Sequence, residues 1–235
     1  MSVKILTTAD VKALAGAVAV AIDNSRKFRH TGIALRWNGR STFYHLAWHR
    51  ELSTEDLGDD YLWVVVRMPA TRIPVLAARL RNATSQKNKD TFSYGLRFQA
   101  SRVTNAGALS VGQNETGLTC ATFVVAMLQA AGIQFIDVQT WLSRDSDNGF
   151  HNWVVNRLKS QISNVATALE VRNELENLKT KLSAEVGSPR IRPIEVAASV
   201  VHTEWPTSFE AAKAIATEIQ NMTEVKSDVE TKVGE

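Results

Sequence analysis

Cysteine is the scarcest chemical resource in this chain: Cys120 stands alone among 235 residues. A single cysteine excludes an intrachain disulfide, which suits a reducing compartment and gives a cytoplasmic expectation. It also argues against structural zinc, which usually takes more than one sulfur. The five histidines, at 30, 45, 49, 151 and 202, show no zinc-finger or His-Glu-x-x-His spacing. Phosphate-cradling glycine loops are absent as well, and no cofactor is expected. No apolar run reaches membrane length. Val11–Ile22 is the longest Ala/Val-rich stretch, with Lys12 inside it and Asp10 before it. It makes a poor export signal and is expected to be a helix capped near Thr7 or Thr8. The net charge of only +3 gives no support for nucleic-acid binding.

What is present is an ordinary globular composition, 44% apolar and 22% charged, in a chain long enough for one good-sized core. The most informative local pattern is 31–48. Thr31–Trp37 and Ser41–Trp48 are rich in strand formers, and Asn38-Gly39 between them is a strong signal for a two-residue hairpin turn. That turn sets Trp37 opposite Arg40, Ala34 opposite Phe43 and Gly32 opposite His45. It makes His30 and His45 diagonal neighbours on one face. His49 has the same parity as His45 and competes with it. Tyr61–Met68 reads as a central strand buried on both sides, ended by Pro69. Thr71–Leu80 reads as a helix with Pro74 in its first turn.

Gly117-Leu-Thr-Cys120 then leads into a helix carrying Phe123, Val124, Met127, Leu128 and Ala131, which Gly132 stops. Cys120 lies in its first turn, where unpaired N–H groups and the positive end of the macrodipole favour a thiolate. A thiol titrating below the ordinary cysteine value is therefore expected. The plain alternative is a small buried hydrophobe on the apolar face.

His30-Thr-Gly-Ile-Ala-Leu, Tyr44-His45-Leu-Ala and Thr119-Cys120-Ala-Thr-Phe-Val, in that order, resemble the circularly permuted papain-like thiol hydrolases. That group includes the lecithin:retinol acyltransferase family and permuted relatives of NlpC-type cell-wall peptidases. The resemblance covers about residues 28–142. It implies an α+β fold in which an antiparallel sheet packs on the cysteine-bearing helix. It also implies Cys120 as nucleophile, His30 as base and His45 as the group that orients it. Thr119, Ala121 and Thr122 replace the Asn-Cys-Glu-His surroundings of the acyltransferases, and their membrane anchor is missing, which points away from lipid acyl transfer.

Within that scheme the Cys120 N–H is the first oxyanion donor, with a side-chain amide from Gln113 or Asn114 as the second. The expected division is an N-terminal helix over 1–27, a catalytic core over 28–153 and a helical extension over 154–235. The extension carries Leu158, Ile162, Val165 and Leu169 in one stripe and Val171, Leu175, Leu178 and Leu182 in another. Ser188–Pro193 marks a break. A final helix follows Trp205-Pro206, with a capping box at Thr207–Glu210 and a fraying tail from Thr223. His151, beside Phe150 and Trp153, is a fourth histidine near the expected cleft.

The leading expectation is a cysteine peptidase or amidase acting on a peptide, amide or acyl ester. The alternatives are a catalytically silent module that binds a protein partner through its C-terminal helices, and a lipid acyltransferase.

Overall fold

The computed structural model describes residues 3–14, 16, 18–23, 29–164 and 169–233, with 224–233 described by backbone alone. Its centre is an antiparallel sheet of five strands: β1 (Val18–Asp23), β2 (Ile33–Trp37), β3 (Arg40–Trp48), β4 (Glu51–Glu55) and β5 (Tyr61–Val65). Their spatial order is β4-β3-β2-β1-β5. The Asn38-Gly39 turn has both residues at positive φ, 51° and 77°, the conformation that matches the twist of a tight hairpin. The register follows: Trp37 faces Arg40 and Ala34 faces Phe43.

The N-terminal expectation is corrected. The first helix, α1 (Thr8–Ala13), is short, with Thr7 and Asp10 bonding reciprocally at its start, and 18–23 is strand rather than helix. Every residue of β1 is buried. Val18, Val20 and Ile22 belong to the main core, while Ala19 and Ala21 join a smaller cluster with Phe43 and Trp63. A strand covered on both faces reads as a continuous apolar run, which alone does not distinguish strand from helix. Ala15 and Ala17 lie outside the described residues. The expected central strand buried on both sides is corrected: in β5 Trp63 and Val64 are buried while Tyr61, Leu62 and Val65 are half-buried, and the strand lies at the end of the sheet order, bridged by Leu6 through Trp63.

Helix α2 (Ile73–Ala83) begins with proline in its first turn. A two-stranded ribbon of β6 (Arg102–Val103) and β7 (Leu109–Ser110) leads to α3 (Cys120–Ala130). The C-terminal region holds α4 (Asn148–Asn164), α5 (Leu169–Ala184), α6 (Pro193–Val201) and α7 (Phe209–Val233). The sequence reading missed α6. Ile194 through Val200 are all buried, and the helix packs on β1, β5, α3 and α7.

Leu158, Ile162, Leu178 and Leu182 are buried in the main core as well, whereas Leu169 and Val171 are exposed. Val165 lies outside the described residues. The C-terminal helices therefore complete the main core instead of standing on it. The final cap moves by one residue: Ser208 bonds the start of α7, while the Thr207 hydroxyl donates to the carbonyls of Ser199 and Glu204. The α7 backbone stays helical through Val233, past the expected fraying point. Among the described residues no helix is long and apolar enough to cross a membrane.

Candidate functional site

β1 positions the first histidine. The Asp23 N–H donates to the His30 carbonyl at 3.0 Å, and the Thr31 hydroxyl donates to the Ala21 carbonyl at 2.7 Å, extending the ladder beyond β2. The hairpin brings His45 beside it, with His30 Nε2 2.7 Å from His45 Nδ1 and the rings edge to face. Gly32 makes the approach possible. A Cβ there would lie 2.5 Å from the Tyr44 carbonyl and 2.7 Å from the His45 Cβ. On its other side the His45 ring stacks on Phe43 at 4.8 Å.

Glu55, which the sequence reading did not single out, extends the line: its Oε1 lies 2.9 Å from His45 Nε2. With His45 neutral, the carboxylate places the proton on Nε2 and leaves Nδ1 to accept. His30 then donates from Nε2 and keeps its lone pair on Nδ1. Glu55 sits two residues beyond Ser53, the direct partner of His45, so finding it requires the β3–β4 register.

His49 is elsewhere. The ladder shifts between Leu46 and Trp48, and His49 falls in the following turn with Arg50 at φ 57°. Its Nε2 meets Glu174 at 3.3 Å and its Nδ1 accepts the Tyr94 N–H at 3.2 Å. The histidine thus ties the hairpin to α5.

Cys120 is the first residue of α3. Thr119 caps that helix, its hydroxyl accepting the Thr122 N–H while the Thr122 hydroxyl accepts the Thr119 N–H. The thiol is buried, 8% exposed, and burial pushes its pKa up. The Thr31 N–H, the positive charge of Arg190 and the N–H groups of Ala121 and Cys120 pull it down without prevailing. The expected low-titrating thiol is therefore corrected for the free protein: desolvation outweighs the helix start.

Cys120 and His30 line one cavity of about 550 Å³, together with Trp48, Tyr94, Phe150 and Trp153. Gln113 does not reach it. Gln113 is exposed in the turn before Glu115, whose carboxylate gathers the N–H groups of Gln99, Ala100 and Ser101 and holds that loop apart. Asn114 is exposed beside it. Tyr94 does line the cavity, its phenol kept protonated by burial and by its neighbour Cys120.

His151 is fully buried and packs beside Phe150, accepting the Gly187 N–H on Nδ1 at 3.1 Å; it does not line the cavity. Arg190, whose charge acts on Cys120, lies 3.6 Å from the centre of the Phe150 ring. Among the described residues no three His, Cys, Asp or Glu gather as metal ligands.

Comparisons with family models, curated proteins and solved structures return no match, so the family resemblance rests on the motif residues.

Proposed function

We propose that this chain is a cysteine hydrolase on a permuted papain-like core, cleaving an amide or ester bond as a peptidase or amidase. One observation carries the reading. The hydrogen-bonded line Glu55–His45–His30 ends at a cavity that the cysteine at a helix start also lines. A thiol alone is mostly protonated at neutral pH, and a positioned imidazole supplies the missing base. His30 Nδ1 takes the proton from Cys120 as sulfur attacks the carbonyl carbon. The oxyanion meets the Cys120 N–H, with the Tyr94 hydroxyl as the second donor in place of Gln113. Collapse expels the amine or alcohol, which receives the proton from His30 and leaves a thioester on Cys120. Water, deprotonated by His30, then releases the acid and restores the thiol.

A second reading, a catalytically silent interaction module on the same fold, has the buried, upward-shifted thiol in its favour. Alkylation separates the two. The rate of Cys120 modification by iodoacetamide is followed by intact mass at pH 7, and the lone cysteine makes the label unambiguous. His30→Ala is expected to slow it at least about tenfold, His45→Ala less, and His49→Ala not at all. A thiol indifferent to His30→Ala removes the hydrolase reading and leaves the silent module.

A further inference from the structure

Among the described residues the cysteine cavity carries positive charge with no acid in its lining. Arg29 and Arg157 both line it, and no aspartate or glutamate does. The Arg157 guanidinium lies 4.5 Å from the Trp48 ring centre and 5.5 Å from that of Trp153. Among the described residues no carboxylate pairs with it, whereas Arg144, Arg190 and Arg192 all have carboxylate partners.

Those three gather on Asp147, and Glu195 pairs with Arg144, so among the described residues three cations meet two carboxylates there. Of the three, Arg190 acts electrostatically on both Cys120 and Tyr94. A guanidinium laid on indole faces is stabilised through its plane and keeps its N–H edge for a ligand, and that edge matches a carboxylate in two parallel hydrogen bonds. The neighbouring Asn152 and Asn156 side chains add polar contacts without adding charge.

We propose that the cavity selects an anionic acyl donor, an amide or ester bearing a carboxylate that Arg157 holds while Cys120 attacks. Arg190 adds its charge at Cys120 and Tyr94. The acyl-donor part rests on the cysteine-hydrolase reading; the anion preference stands on the cavity itself.

The experiment uses the full chain and two reagents that differ only in charge, iodoacetate and iodoacetamide. Free N-acetylcysteine in the same buffer sets the intrinsic ratio of the two alkylation rates. For Cys120 the iodoacetate-to-iodoacetamide ratio is expected to exceed that reference about tenfold, because a cationic cleft concentrates anions. Raising the salt from 0.02 to about 0.5 M should lower the excess, as the Debye length contracts. Arg157→Gln should return the ratio toward the reference, and Arg157→Lys, which keeps the charge but not the fork, should retain part of it. Arg157 is exposed, so neither change threatens the fold.

A brisk, His30-dependent reaction with no preference for iodoacetate overturns the anion selectivity and leaves the hydrolase reading standing. A preference for iodoacetate that ignores His30→Ala keeps the anion site and removes the hydrolase. A thiol inert to both reagents overturns the two together.

Discussion

Glu55 and His45 act through His30, and their geometry separates orientation from charge. The Glu55 side chain is 56% exposed, so its ion pair with His45 is screened by solvent. Its useful contribution is to accept the His45 Nε2 proton, fix the tautomer and leave Nδ1 for His30. An amide oxygen accepts that proton as well. Glu55→Gln should therefore leave the pH 7 alkylation rate of Cys120 near that of the unaltered protein, while Glu55→Leu, which accepts nothing, should lower it by as much as His45→Ala does. Equal losses in both variants would show that charge, not orientation, matters. Gly32 supports the same pair by having no side chain. Gly32→Ala drives a methyl toward the Tyr44 carbonyl and the His45 Cβ. The strands must part or His45 must move, so the variant should lose about 1–3 kcal/mol in urea unfolding and most of its His30-dependent reactivity. A variant of wild-type stability and reactivity would show that the close approach of the two strands is not needed to seat the histidines.

At the scale of elements, α3 presents Cys120 through its cap. Thr119→Ala removes the acceptor for the Thr122 N–H and should cost about 0.5–2 kcal/mol in urea unfolding. Thr119→Ser should retain most of the stability, and an unchanged midpoint in the alanine variant would show that the cap is dispensable. The cap helix and the first hairpin were both legible because each is written locally. Asn38-Gly39 fixes a two-residue turn, and a fixed turn fixes the parity of every residue in the ladder. Two neighbouring features were not legible for the same reason. The shift between Leu46 and Trp48 carries His49 away from His45, and the turn that follows uses Arg50 at positive φ, where no glycine or asparagine announces it. Strand β1 was misread because Val-Ala-Val-Ala is as compatible with a buried helix as with a strand; only its neighbours β2 and β5 decide the matter. Glu55, Tyr94 and Arg157 reach the site through register and packing between distant elements, a kind of information that spacing along the chain does not hold.

For the molecule as a whole, α6 joins the C-terminal helices to the sheet, and its buried residues share one core with β1 and α3. Core and C-terminal helices should consequently unfold together, and the acid side of that transition can be set by two histidines, one buried and one half-buried. His151 is fully buried; burial lowers its pKa, Arg190 lowers it further, and Asp147 opposes both. Its Nδ1 accepts the Gly187 N–H, and its Nε2 has no hydrogen-bond partner among the described residues. His49 is lowered by burial and by Arg50, while Glu174 and Glu51 raise it. A histidine whose folded pKa lies below the unfolded value of about 6.5 takes its proton more readily in the unfolded chain. Full stability is then present above about pH 6.5, and it falls as the pH drops toward the folded values, by at most about 1.4 kcal/mol per histidine for each pH unit. Urea midpoints should consequently be lower at pH 5.5 than at pH 7.5. His151→Asn, whose amide oxygen takes the place of Nδ1 as acceptor for Gly187 and cannot be protonated, should flatten that dependence. A midpoint constant across this range, or a slope unchanged in His151→Asn, would mean that protonation of His151 is not coupled to unfolding.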